Sequence, residues 1–121
     1  MQGRWVAYTH GPARLLCFAL VGPLAEELLF RGAIFELAGR IFSRSAIAPA
    51  LVSTVLFSLY HLQLHQFHVT PFVAMQLAFT VPMGLVFARL RALSGSIWPS
   101  FGVHVLTNLP HCFGAVPAAM V

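Results

Sequence analysis

Apolar residues fill this chain in long runs, without the alternation of a half-buried sheet. From Ser45 to Ala88 there is no Asp, Glu, Lys or Arg, and from Ala92 to Val121 there is again none. A helix rises about 1.5 Å per residue and a hydrocarbon core is about 30 Å thick. The first run is therefore too long for one span and right for two, and the second fits one more. The pattern predicts a first helix from Pro12 to Phe42, a second from Ala46 to Leu64, a third from Pro71 to Leu90 and a fourth from about Trp98 to Phe113. Pro23 should kink the first helix or start its second half, and Pro82 with Gly84 should bend the third. Gly32 and Gly39 allow close helix approach. The polar stretch from Gln63 to Pro71 reads as a turn at the membrane surface, and Arg89, Arg91, Ser94 and Gly95 as the next loop. Pro99 suits a first-turn position, and the tail after Phe113 should fray. The fold class is all-α: a multi-pass transmembrane bundle of about four helices in a single domain, 1–121. A transmembrane barrel is excluded by runs too long for its strands.

Composition sharpens this. The chain is 59% hydrophobic and only 8% charged, against about 25% charged in soluble domains. The net charge of +4 comes from arginines alone, which cluster at the ends of apolar segments. They read as topology signals, not as a nucleic-acid surface. Arg40, Arg44, Arg89 and Arg91 on one side outnumber Arg4 and Arg14 on the other, which favours both termini outside the cytoplasm. Cys17 and Cys112 lack metal spacing and read as free thiols. No small-residue site marks a cleavable signal peptide.

Three polar groups interrupt the apolar helices. Glu26 and Glu27, two of the three acidic residues, sit inside Leu24-Ala25-Glu26-Glu27-Leu28-Leu29-Phe30-Arg31-Gly32. An ionised carboxylate near the bilayer centre costs roughly 3 kcal/mol or more, so the pair needs a reason. Glu27 and Arg31 are four apart and share a helix face, whereas Glu26 lies about 140° around from Arg31 at about 100° per residue. Arginine can thus neutralise Glu27 and leave Glu26 for acid–base work, since a carboxylate in a low-dielectric cavity can exchange protons near neutral pH. Packing alone would explain Glu27 and Arg31 but not Glu26. The second group is Phe57 with His61, on one face near the end of the second helix. The third is His104 with Asn108, one turn apart on the fourth helix, where an interhelical hydrogen bond is the bland alternative. All three lie at depths where antiparallel helices can bring them together. His10, His65, His68 and His111 lie in loops or near the ends and read as interfacial.

Glu-Glu-x-x-x-Arg, Phe-x-x-x-His and His-x-x-x-Asn, in that order and on hydrophobic helices, resemble the motifs of the CPBP family of intramembrane proteases, the CAAX protease and bacteriocin-processing family. Phe30-Arg31-Gly32, Leu62-Gln63 and Gly95-Ser96-Ile97-Trp98-Pro99 look like the family's flanks. The resemblance covers residues 22–110. It implies an intramembrane endopeptidase in which Glu26 and His61 activate water, His104 and Asn108 stabilise the oxyanion, and Glu27, Arg31 and Phe57 support the site. It implies no covalent nucleophile, no cofactor, and a membrane protein or peptide as substrate. Ser58, Ser100 and Cys112 have no activating arrangement. Family members usually carry more helices, so this chain reads as a minimal core of the fold, whose missing walls self-association or a partner subunit would supply. The expected location is the inner membrane of a bacterial cell.

Other readings use the same residues. Glu, His and His could ligate zinc with the other glutamate as base, although there is no His-Glu-x-x-His and Asn108 is a poor ligand. A non-catalytic protein, such as a bacteriocin self-immunity factor, would use the cluster for packing. A proton-coupled transporter would also bury Glu and His, but no internal repeat supports it.

Overall fold

In the computed structural model, residues 12–113 are described, apart from the side chains of Arg14, Phe18 and residues 111–113. Arg4 and His10 lie outside the described residues, as do the side chains of His111 and Cys112. Cys17 is a free, exposed thiol.

Helix α1 is continuous over residues 12–41 but is not evenly wound. The α-helical stretches Pro12–Leu15, Gly22–Glu27 and Phe35–Ile41 alternate with π-helical stretches Leu16–Val21 and Leu28–Ile34. Pro23 accounts for the first of these. Proline has no N–H and its ring clashes with the carbonyl four residues back, so the turn before it widens. Proline therefore opens the second part of α1 without ending the helix.

Helix α2 is Ala48–Leu64, with the Ser45 hydroxyl accepting the Ala48 N–H at 3.1 Å. Helix α3 is Pro71–Ser94; Thr70 caps it by accepting the Val73 N–H at 3.2 Å. It runs through Pro82 and one turn beyond the expected end, to a left-handed Gly95 at φ +68° whose N–H bonds the Arg91 carbonyl. Only a glycine takes that φ freely, so Gly95 ends the helix and the preceding polar residues do not. Arg91 therefore belongs to α3 and not to a loop. Helix α4 is Trp98–Phe113.

These are the four helices of the described residues, and no strand occurs among them. The first half of α1 packs on α4, its second half on α2, and α3 lies against both α2 and α4. Glu26 and Glu27 fall at the changeover. Gly84 permits the closest approach: a Cβ there would stand 2.8 Å from Thr54 Cγ2. The interior holds Phe30, Phe57 and Phe87 beside buried Glu27, Arg31, Ser53, Thr54, Thr80, Ser100 and His104, while many leucines and valines, such as Leu51, Val55 and Leu59, face outward. So many outward-facing large apolar side chains, with polar groups buried beside the phenylalanines, suit lipid better than water. Among the described residues, one helix, α3 with 24 residues, is long and apolar enough to cross a bilayer, and α2 is a shorter apolar helix.

Candidate active site

The site begins with the winding of α1. Across Leu28–Ile34 the backbone closes i→i+5 hydrogen bonds, as from the Phe35 N–H to the Phe30 carbonyl. Such a turn brings residues five apart closer to register than an α-turn does. Glu26 and Glu27 lie in the α-helical stretch just before this turn. Glu27 pairs with Arg31, as the spacing predicts, and both carboxylates meet the same imidazole.

That imidazole is His104 of α4. Its Nδ1 lies 2.9 Å from Glu27 Oε1, and its Nε2 lies 3.5 Å from Glu26 Oε2. An ionised carboxylate only accepts, so the short contact places a proton on Nδ1. Nε2 is left facing Glu26. The ring is held by stacking on Phe87 (centroids 4.8 Å apart, 24° between planes) and by the edge of Phe57.

Arg31 and Glu27 are both fully buried, with Arg31 Nη1 3.5 Å from Glu27 Oε1. Arg31 Nη2 donates to the Gly84 carbonyl at 3.2 Å, and its guanidinium carbon stands 4.3 Å from the Phe57 ring centre and 5.1 Å from that of Phe87. Gly84 is therefore small for two reasons: it admits Thr54 and brings its carbonyl to the arginine. Glu27 Oε2 and Arg31 Nε make no hydrogen bond to the described protein atoms.

His61 stands in the last turn of α2. Its Nδ1 is 2.9 Å from the Phe57 carbonyl. A carbonyl can only accept, so Nδ1 carries the hydrogen and Nε2 of the neutral ring is the free acceptor. The ring packs at 4.6 Å against Phe57 and is within electrostatic reach of Glu26. Phe57, 3% exposed, thus touches Arg31, His61 and His104 together. Asn108 follows His104 by one turn and is half-buried, with an interaction of its own.

Glu26, Glu27, Arg31, Phe57, His61 and His104 therefore share one cluster, in which the Glu26 side chain is 20% exposed. Among the described residues, no three His, Cys, Asp or Glu side chains converge in a way that could hold a metal ion. His65 bonds Gln76 at 2.8 Å in the turn between α2 and α3, away from the site. Sequence reasoning missed Ser53, Gly84, Phe87 and Arg91. Spacing could have found them. Ser53, Phe57 and His61 form one stripe of α2, and Gly84, Phe87 or Ala88, and Arg91 form one stripe of α3.

The chain matches the family model described as "Type II CAAX prenyl endopeptidase Rce1-like" over residues 9–110. It is 31% identical over 98 residues to a Bacillus subtilis (strain 168) protein named "Putative membrane peptidase YdiL"; the match takes in 80% of this chain and 35% of that protein. The chain thus spans about a third of the length of the curated relative it matches. No solved structure matches it.

Proposed function

The chain belongs to the Rce1-like family of type II CAAX prenyl endopeptidases, and from that premise we propose that it is an intramembrane endopeptidase working through Glu26, His61, His104 and Asn108. The observation that carries this reading is His104 held between two glutamates, at 2.9 Å from one and 3.5 Å from the other, within an apolar bundle.

Glu26 is the partly accessible carboxylate and takes a proton from water as the oxygen attacks the peptide carbonyl. His61 offers Nε2 as a second acceptor for that water. The hydroxyl adds to the carbonyl carbon, and the carbonyl oxygen becomes an oxyanion. His104, with Nδ1 committed to Glu27, directs Nε2 at the reacting centre; in the protonated ring Nε2–H donates to the oxyanion, as does the Asn108 amide. The tetrahedral intermediate collapses with cleavage of the C–N bond, and the leaving amine takes the proton back from Glu26. Preorganised donors in a dry site are worth the most where charge develops. Glu27 and Arg31 hold His104 in place and, with Phe57, orient the cluster.

The reaction is written without a metal because the acidic and basic groups needed are all present and His104 Nδ1 is already engaged by Glu27. Activity that survives chelation, in protein free of zinc, is the expected result. The substrate is a membrane-associated protein or peptide, either a prenylated tail or a peptide precursor, and the location is the bacterial cell membrane. Replacing Glu26 by Gln or His61 by Ala should abolish cleavage while leaving folded protein in the membrane. Retained activity in both would sink the proposal.

A further inference from the structure

The π-helical turn that directly follows the glutamates is held from outside by two side chains that the proposed chemistry does not use. Winding of the i→i+5 type disturbs the regular backbone ladder, and in an apolar interior a backbone carbonyl needs a partner. Two successive carbonyls of this turn accept from other helices, the Phe30 carbonyl in addition to its bond from the Phe35 N–H. The Ser53 hydroxyl of α2, fully buried, donates to the Phe30 carbonyl at 2.8 Å. Arg91 Nε of α3 donates to the Arg31 carbonyl at 2.9 Å. Arg91 is itself aimed by Glu36, whose Oε1 accepts from Nη2 at 3.0 Å, and by the Phe35 ring 5.4 Å from its guanidinium carbon. Glu36 is the one acidic residue outside the glutamate pair, and it lies just beyond the π turn on the same helix.

We propose that Ser53 and Arg91 are positioning residues. They clamp the Leu28–Ile34 turn from both sides and so set the rotation of α1 that points Glu26 and Glu27 together at His104. The inference rests on reading that cluster as the active site, but its geometric part stands apart from any activity. The Arg91–carbonyl bond does the positioning, and the ion pair with Glu36 only aims Arg91.

Four variants separate these roles: Ser53→Ala, Arg91→Ala, Arg91→Lys and Glu36→Gln, each in the full chain in detergent micelles. The first readout is the ¹⁵N-histidine NMR signal of the His104 Nδ1–H, assigned by its loss in His104→Ala. It should shift or broaden in Ser53→Ala and Arg91→Ala, return toward wild type in Arg91→Lys, which keeps a donor, and stay in place in Glu36→Gln. The second readout is cleavage of an internally quenched, farnesylated CAAX peptide. Arg91→Ala should lose about tenfold or more in kcat with KM nearly constant, because misplacement by a fraction of an ångström acts on the chemical step. Glu36→Gln should stay within about threefold. An unmoved His104 signal in both Ser53→Ala and Arg91→Ala overturns the clamp. So does a Glu36→Gln variant as impaired as Arg91→Ala, which would make the ion pair the active element. If the wild-type chain cleaves no peptide, the protease reading is what suffers, and the NMR signal still decides the clamp.

Discussion

Breaking the buried pair between Glu27 and Arg31 should be costly, and breaking it from both ends should be less costly than the sum. Both side chains are fully buried, with Arg31 Nη1 3.5 Å from Glu27 Oε1. Removing one partner of a buried ion pair leaves the other charge uncompensated and typically costs about 3–5 kcal/mol. Glu27→Gln strands the guanidinium, but the Gly84 carbonyl at 3.2 Å and the faces of Phe57 and Phe87 remain to hold it. Each cation–π contact is worth about 0.5–2 kcal/mol, which places this variant near the lower end, at about 3 kcal/mol. Arg31→Met strands a carboxylate whose remaining partner is His104 at 2.9 Å, and a cost of about 3–4 kcal/mol is expected. The double variant has no isolated charge and should recover about 1–3 kcal/mol relative to the sum of the singles. Reversible unfolding in mixed micelles, followed by circular dichroism, measures all four corners of the cycle. A Glu27→Gln variant within about 0.5 kcal/mol of wild type, with no coupling to Arg31→Met, would refute the reasoning that this pair is charged, buried and mutually dependent.

Other outcomes follow from neighbouring contacts. Gly84→Ala puts a Cβ 2.8 Å from Thr54 Cγ2; the strain should cost about 1–3 kcal/mol in the same unfolding assay, and Thr54→Ser in the same chain should recover part of it. Phe57→Leu keeps much of the volume but loses the ring shared by Arg31, His61 and His104; a loss of about 1–2 kcal/mol in stability, with slower peptide cleavage, is expected. Asn108→Ala should lower kcat by about 10²–10³ with little change in KM if its amide meets the oxyanion, a split read directly from steady-state cleavage of the quenched peptide.

The helices were legible because uncharged runs of such length allow few alternatives, and the structure confirms an all-helical bundle whose elements begin and end within a few residues of the sequence reading. The exception is instructive. The polar run from Arg89 to Ser94 looks like a loop, yet the helix continues until Gly95, whose left-handed φ of +68° stops it. That extra turn carries Arg91 to the Arg31 carbonyl. The π winding of α1 was hidden for a different reason. Reading a sequence on a wheel assumes equal steps. The separation of Glu26 from Arg31 holds, with Glu27 as the ion-pair partner, but a wheel does not show a turn that widens to i→i+5 bonding after Glu27. The polar motifs announced themselves as charges and imidazoles in apolar surroundings. Ser53 and Gly84 did not, because a serine or glycine in an apolar helix is common; their place in a stripe with Phe57 and His61, or with Phe87 and Arg91, was the signal to follow.

If Glu26 is the carboxylate that drives hydrolysis, the native chain and its Glu26→Gln variant, expressed at equal levels in the same cells, should differ in their membrane proteomes. At least one membrane-associated precursor should accumulate uncut with the variant, and purified native protein, but not the variant, should cleave it in micelles. Identical proteomes, or a purified variant that cleaves the same precursor at the native rate, would remove Glu26 from the chemistry.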